Sequence, residues 1–218
     1  DFNLDLEAAL KRKKVPTIHY VSPSVWAWRG GRIRRIARSA DHLLALFPFE
    51  APLYREAGVP VTYVGHPLAD ELPEMDLTGQ VREQLKIRSG KRVFTLLPGS
   101  RQSELRYLGE VFARTAKRVH ERLPDAMFLV PLVSRETRAQ FEEALYRAEA
   151  DSLPVTILFG HAAEAIAAAD AVLVASGTAT LETALLRKPM VITYRMSPTT
   201  WRMMKRMRYQ PWVGLPNI

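Results

Sequence analysis

Two short segments of the chain carry residue types suited to holding an anion. The first, at residues 98–101, reads Pro-Gly-Ser-Arg and lies between a β-branched run and a long amphipathic run. Gly99 lets the backbone approach a ligand closely, and Ser100 and Arg101 offer hydrogen-bond donors to phosphate oxygens. An ordinary strand-to-helix turn with a solvated arginine is the alternative. Because ligands of parallel α/β sheets bind beyond the carboxyl ends of strands, this position favours a phosphate contact.

The second segment, residues 176–182, follows a run that is typical of a buried strand. Its small polar residues predict a turn, and residues 179–187 predict a helix whose first N–H groups and positive dipole end would face an anion. Glu182 has two open interpretations, a carboxylate that caps the helix or one that accepts hydrogen bonds from ribose hydroxyls, and the residues alone favour the cap. Neither segment matches G-x-G-x-x-G or a Walker loop, which disfavours phosphoryl transfer of the P-loop type.

The elements around these segments alternate between short β-branched runs and amphipathic runs. This alternation is typical of βαβ units and predicts an α/β fold with mainly parallel sheets. Apolar residues from Leu105 to Val119 predict a long helix with Ser103 as its cap, and residues 33–40 predict a shorter helix. The predicted strands are residues 17–21, 42–47, 61–64, 93–97, 126–130, 155–159, 171–175 and 190–193.

A proline-rich acidic stretch at residues 67–76 interrupts the alternation. Between Gly65 and Lys91 only one short helical pattern is present, which is typical of a linker between two domains. We therefore expect an N-terminal α/β domain with its linker at residues 1–76 and a C-terminal α/β domain at residues 77–218.

Two further segments combine aromatic and basic residues. Residues 22–29 contain Trp26 and Trp28, which are suited either to core packing or to a substrate-facing loop. The arginines from Arg29 to Arg38 form either a solvated face or a stripe beside an anionic acceptor. Residues 201–209 interleave Trp and Met with Lys and Arg, a pattern of interfacial helices and also of a methionine-rich packing face.

Composition bounds the classes of function. An apolar fraction of 47% in 218 residues is sufficient for one or two folded domains. The absence of cysteine excludes disulfides, thiolate zinc sites and cysteine nucleophiles, and the histidines lack metal-ligand spacing. His66 is interpreted as a hydrogen-bonded structural histidine. The net charge of +8 favours nucleic acid, anionic lipid or phosphorylated substrates as partners.

Because the chain begins at Asp1 without methionine and stops at Ile218, we expect both ends to be truncated.

Several longer strings together resemble the lipid-A-disaccharide synthase family. The most distinctive is His-Tyr-Val-Ser-Pro-Ser-Val-Trp-Ala-Trp-Arg at residues 19–29. The matches run through the whole chain in the family's order. The other matching strings are residues 47–50, 64–68, 96–101, 175–182, 194–196 and 215–217.

The resemblance implies a GT-B architecture of two Rossmann-like domains, with an incomplete acceptor-side domain first and a UDP-sugar-binding domain second. It implies inverting transfer of 2,3-diacylglucosamine from its UDP donor to 2,3-diacylglucosamine 1-phosphate, giving the β-1,6-linked lipid A disaccharide and UDP. It also implies that no metal or cofactor is needed. The expected location is the cytoplasmic face of the bacterial inner membrane as a peripheral protein, with a homodimer in the full-length protein and no nucleic-acid partner.

Combined with the anion-binding segments, the resemblance implies roles for particular residues. Arg101 is expected to stabilise the leaving diphosphate, Glu182 to hold the ribose and Asp1 to act as the base. The expected substrate-binding residues are Gly99, Ser100, Arg101, Pro131, Leu132, Phe159, Gly160, Ser176, Gly177, Thr178, Ala179, Thr180, Glu182 and Asn217.

Two competing classes remain open on the residues. Another UDP-sugar protein of the GT-B type, such as an N-acetylglucosaminyl transferase or an epimerase, explains the second domain equally well, but it leaves the tryptophan string at residues 22–29 unexplained. A basic nucleic-acid-binding module is compatible with the net charge, but the aromatic and basic signatures of known RNA modules are absent.

Overall fold

A computed structural model of the chain describes residues 2–22, 31–72, 75–206 and 214–215. These residues form two compact units. The first comprises the described residues up to Glu71 together with residues 202–206, and the second runs from Leu72 to Trp201 and includes residues 214–215.

The first unit contains a three-stranded parallel sheet in the order β1-β2-β3. The first two helices of this unit contribute to its core, because Leu4 and Ile36 are buried against Leu43 of the middle strand. Tyr54 completes the core and its hydroxyl lies 2.7 Å from the Ser22 hydroxyl. The elements are α1 (Phe2–Arg12), β1 (Ile18–Tyr20), α2 (Gly31–Ser39), β2 (His42–Ala45), α3 (Glu50–Glu56), β3 (Val61–Tyr63) and α4 (Leu68–Glu71).

The second unit contains a five-stranded sheet, entirely parallel, in the order β6-β5-β4-β7-β8. Its elements begin with α5 (Thr78–Gln84), β4 (Arg92–Leu97), α6 (Gln102–Arg122), β5 (Ala126–Leu132) and α7 (Arg135–Arg147). They continue with β6 (Val155–Phe159), α8 (Ala162–Ala168), β7 (Ala171–Ala175), α9 (Thr178–Leu185) and β8 (Met190–Thr193). The last described helix is α10 (Pro198–Arg206).

Helices cover both faces of the five-stranded sheet. On one face Phe112 of α6 and Phe141 of α7 pack against Phe128 and neighbouring residues of β5. On the other face Ala165 of α8 packs with Leu129 of the same strand. Alternate residues of β5 thus enter opposite layers, as the pleat of a strand requires. The α/β class with parallel sheets, predicted from the sequence, is confirmed.

All eight predicted strands are present, and those of the second unit agree most closely with the predicted bounds. The strands of the first unit are shorter than predicted. Val21, predicted as the last residue of its strand, has a φ of 74°, which ends the extended conformation. Near the second strand, the Glu50 carboxylate accepts the N–H of Phe47 at 3.1 Å and stabilises a turn there.

Two details of the predicted helices are wrong. Ser103 does not cap the long helix, because the non-helical backbone that a cap requires is found at Arg101 (φ −108°, ψ 144°). The region between Gly65 and Lys91 contains two short helices, α4 and α5, rather than one. Pro67 directly precedes α4, and its carbonyl accepts the N–H of Asp70 at 2.9 Å and that of Glu71 at 3.1 Å.

Candidate phosphate-binding site

The strand order of the second unit reverses between β4 and β7, and we call the region beyond the carboxyl ends of these two strands the crevice. From the central strand β4 the chain proceeds outward through β5 and β6, then returns to the other side of β4 as β7 and β8. Ligands of open α/β sheets bind at such a reversal, beyond the carboxyl ends of the two strands. Leu97 pairs with Val174 across these strands, so the segments that follow them, 98–101 and 176–178, leave the sheet side by side. The two segments predicted to bind an anion therefore flank the reversal point.

The segment after β4 is built around a glutamate of the following helix. The Glu104 Oε2 atom accepts the backbone N–H of Ser100 at 3.0 Å and that of Arg101 at 3.2 Å. Gly99 has a φ of 121°, and a Cβ placed there would lie 2.7 Å from the Glu104 Cβ. Only glycine fits both this conformation and this close contact. The sequence reasoning assigned no role to Glu104.

The side chains of this segment are exposed. The Arg101 side chain is 78% accessible, and its Nη1 lies 3.4 Å from the Glu104 Oε1 atom. Ser100 is exposed beside it. Because Glu104 engages the backbone N–H groups of both residues, the guanidinium and the serine hydroxyl are the groups of this segment that suit a phosphate.

The segment after β7 forms the second side of the crevice. Gly177 and Thr178 are exposed there at the start of α9. The Ser176 N–H donates to the Thr193 carbonyl at 2.9 Å, which joins this segment to β8. Thr180 is fully buried and its hydroxyl donates to the Gly177 carbonyl at 2.7 Å, so its side chain closes the turn. Ala179 packs against the core beneath the crevice.

Glu182 lies in the second turn of α9, one turn beyond the exposed residues. Among the described residues no donor bonds to its carboxylate, and the only influences on its pKa are burial and the Glu164 charge. Capping, which the residues alone favoured, is therefore not the arrangement seen. Burial raises the pKa of Glu182, and the nearby Glu164 carboxylate raises it further. A half-buried carboxylate with this environment is suited to accepting hydrogen bonds from a ligand.

The ends of β5 and β6 present a different surface. Pro131 and Leu132 lie inside β5 and are buried, so their side chains belong to the core. The next residue, Val133, is 61% exposed, and Phe159 at the end of β6 is 48% exposed. The Arg138 guanidinium carbon lies 5.8 Å from the centre of the Phe159 ring.

The turn after β6 adds two polar side chains that the sequence reasoning did not select. Gly160 donates its N–H to the Leu132 carbonyl at 2.9 Å, so this turn begins beside the end of β5. His161 Nδ1 lies 3.0 Å from the Glu164 Oε1 atom, and the hydrogen bond lowers the pKa of Glu164. The Glu164 carboxylate is thus held in its charged form near Glu182.

Histidines of the first unit have structural partners. His66 Nδ1 accepts the Leu68 N–H at 3.2 Å, in agreement with the interpretation of His66 as a structural residue. His19 Nδ1 lies 2.8 Å from the Glu7 carboxylate, and both side chains are largely buried. Within the described ranges no group of three His, Asp or Glu residues has the arrangement of a metal site, and no helix is long and apolar enough to cross a membrane.

Several predicted residues lie outside the part of the chain that the structure describes. They are Asp1, Asn217, the tryptophan-containing residues 23–30 and the end of the basic segment at 207–209. Their roles stay predictions, as do those of the residues described above.

Comparisons with solved structures show which class of fold this is. UDP-GlcNAc 2-epimerase from Neisseria meningitidis, bound to UDP-GlcNAc, superposes with a TM-score of 0.62 at 13% identity over 92% of this chain and 58% of that one. HepE from Anabaena, in complex with UDP and glucose, gives a TM-score of 0.55 at 17% identity over 87% of this chain and 56% of that one. With the parallel sheets, these similarities assign the chain to the GT-B class of folds, as the sequence predicted.

The family within that class follows from sequence. A family model described as Lipid-A-disaccharide synthetase matches residues 1–218, so the chain belongs to this family. A lipid-A-disaccharide synthase from Azoarcus sp. (strain BH72) is 61% identical over 218 residues, which are all of this chain and 56% of that protein. The chain therefore spans about half the length of the curated relatives it matches.

Proposed function

We propose that residues 77–218 form the UDP-sugar-binding domain of a lipid-A-disaccharide synthase and that residues 1–76 belong to its acceptor-side domain. The full-length protein would transfer 2,3-diacylglucosamine from its UDP donor to 2,3-diacylglucosamine 1-phosphate. The observation that carries the proposal is the strand-order reversal between β4 and β7, where the segment with the exposed Arg101 and the segment that starts an eight-residue helix leave the sheet side by side. Family membership supports the choice of substrates, and the position of the two segments beyond the strand ends supports the place proposed for the diphosphate.

The diphosphate is assigned to the crevice on charge and donor geometry. Arg101 contributes a permanent positive charge and a planar set of donors that match phosphate oxygens. The backbone N–H groups at the start of α9 and the positive end of its dipole contribute from the opposite side. The exposed Thr178 hydroxyl is a further donor at this helix start.

The rest of the donor is assigned to neighbouring strand ends. The ribose hydroxyls would donate to Glu182, which has no donor among the described residues. The uracil would lie near Phe159 and Gly160, where an exposed aromatic ring offers a stacking face. Pro131 and Leu132 would border the base through the backbone around them, since their side chains are buried.

The proposed reaction inverts the anomeric centre. The acceptor hydroxyl attacks the anomeric carbon, the bond from that carbon to the β-phosphate oxygen breaks, and UDP leaves with the bonding electrons. Arg101 would stabilise the charge that develops on the departing diphosphate. The proton of the acceptor hydroxyl goes to a general base, for which Asp1 remains the proposed residue.

An activity assay on the full-length protein tests this function. With the acylated UDP donor and the acylated sugar phosphate we expect disaccharide and UDP, and with unacylated UDP-GlcNAc we expect no transfer. Arg101→Ala should lower turnover by at least about a hundredfold, comparable with the removal of one oxyanion donor. Arg114→Ala is the matched control, because Arg114 is exposed on the same helix, several turns from the crevice.

Two results would contradict the proposal. Transfer from the unacylated donor at the same rate would assign the chain to another UDP-sugar reaction. Near-normal turnover by Arg101→Ala, with the control also normal, would remove Arg101 from the diphosphate site.

A further inference from the structure

The contacts of Glu104 are unusual for a carboxylate beside an anion site. Its side chain is only 18% accessible, and it lies at the third position of α6, immediately behind Arg101. A negative charge there repels a diphosphate that binds in the same crevice. Glu104 must therefore contribute something to the site that offsets this repulsion.

The bonds of Glu104 identify that role. One carboxylate oxygen accepts two consecutive N–H groups, at 3.0 Å from Ser100 and 3.2 Å from Arg101, and the other lies 3.4 Å from the Arg101 guanidinium. The backbone bonds fix the path of the chain at Arg101, and the contact with the guanidinium restricts the direction of its side chain. Gly99 makes room for this arrangement, since any larger residue would collide with Glu104.

We propose that Glu104 is a positioning residue for the diphosphate site and acts through Arg101. It holds the loop and the exposed guanidinium in the orientation that binds the diphosphate, so the affinity gained through Arg101 exceeds the loss from repulsion. The proposal rests on the proposed function, because the ligand that it concerns is the UDP part of the donor.

The substitution Glu104→Gln distinguishes the positioning of Arg101 from simple capping of the helix. In Glu104→Gln the amide oxygen still accepts the two backbone N–H groups, so the loop and the helix start keep their bonds. The amide nitrogen, however, replaces the oxygen that faces Arg101, and it presents donors to donors. The variant therefore keeps the capping bonds but loses the contact between the Glu104 carboxylate and the Arg101 guanidinium.

The experiment measures UDP binding by calorimetry and the melting temperature, both in the full-length protein. We expect Glu104→Gln to weaken UDP binding about tenfold, the loss of one charge-assisted contact, with a melting temperature within about 2 °C of the wild type. Glu104→Asp keeps the charge but is one methylene shorter, and we expect a similar loss of affinity. Glu110→Gln is the matched control, since Glu110 pairs with Arg114 on the same helix and should leave both measurements unchanged.

A double variant tests whether the effect passes through Arg101. In an Arg101→Ala background, Glu104→Gln should cause no further loss of UDP affinity, because the group that it positions is absent. A loss equal to that seen with Arg101 present would overturn the proposal, as would wild-type or tighter UDP binding by Glu104→Gln alone. Failure of the wild-type protein to bind UDP is a different result, and it would contradict the proposed function rather than the role of Glu104.

Discussion

Glu182 shows at the residue scale how a proposed binding group can be held at a cost to stability. Its carboxylate is half-buried in α9, and the Glu164 carboxylate nearby adds a like charge. Both effects raise the pKa of Glu182, so the folded chain binds this proton more tightly than the unfolded chain does. At neutral pH the charged form therefore opposes folding, and this opposition disappears as the pH falls through the folded-state pKa.

We accordingly expect Glu182→Gln to change stability and affinity in opposite directions. At pH 7.5 and without ligand the melting temperature should rise by about 2 °C, and the gain should shrink as the pH is lowered toward 4.5, the ordinary pKa of a glutamate. UDP binding should weaken by about tenfold, because an ionised acceptor for the ribose hydroxyls is lost. Calorimetry and thermal melts measured across this pH range check both effects.

Glu121→Gln on an exposed face of α6 serves as the control for that experiment. It should change neither the melting temperature nor UDP affinity. A Glu182→Gln protein that melts lower at every pH would mean that the carboxylate stabilises the fold, contrary to the expected sign.

The same scale shows which features of the candidate site the sequence predicts and which it does not. Gly99 and Arg101 are predictable because their position after a strand and before a helix places them at a sheet edge. The burial of Thr180 was not predictable, since it depends on how α9 packs. Glu104 was missed because the cap before it is an arginine, whereas the recognised capping pattern begins with Ser or Thr.

The loop proposed to bind phosphate, residues 98–101, depends at the element scale on the helix that follows it. Helix α6 begins at Gln102, and its apolar face packs against β5 and α7. Gly109 is buried in that face, and a Cβ there would lie 3.2 Å from the Ala144 Cβ of α7. The two helices therefore approach each other closely at Gly109, which helps to fix α6 and the loop at its start.

A larger residue at this crossing should destabilise the second unit. We expect Gly109→Leu to lower the free energy of unfolding by about 2 kcal/mol, because overpacking forces the helices apart. Gly79→Leu is the control: Gly79 is also helical, but no other atom lies within 4 Å of a Cβ placed there. Urea denaturation of both variants checks the difference. Equal stability would mean that the α6–α7 contact adjusts freely.

Elements were predicted most accurately where the sequence marks both ends. The strands β6, β7 and β8 have the predicted bounds, and Pro154, Asp170 and Pro189 directly precede them. The helix α1 was not predicted. Short elements such as α4, with four residues, are too brief for periodicity to reveal.

At the scale of the whole molecule, the net charge of +8 and the exposed apolar residues are suited to contact with an anionic membrane surface. The substrates of the proposed reaction carry acyl chains, so we propose that the protein operates at a membrane surface. Basic residues of the first unit, including Arg12, Arg34 and Arg38, are exposed and suit anionic headgroups. Trp201 of α10 is 55% exposed and suits the interface between headgroups and acyl chains.

Trp201 gives the sharpest test of this membrane contact. Transfer of a large apolar side chain from water is worth about 2 kcal/mol, so Trp201→Ser should weaken binding to vesicles of phosphatidylethanolamine and phosphatidylglycerol by at least about tenfold. Serine at Met203, Met204 and Met207 should weaken it further. Tyr146→Ser is the matched control, because Tyr146 is 75% exposed but lies on α7 rather than on α10. Added salt should weaken binding of every variant, since the basic residues contribute through screened attraction. Co-sedimentation with vesicles measures the binding of each variant. Unchanged binding by a folded Trp201→Ser protein would identify α10 as an ordinary packing helix.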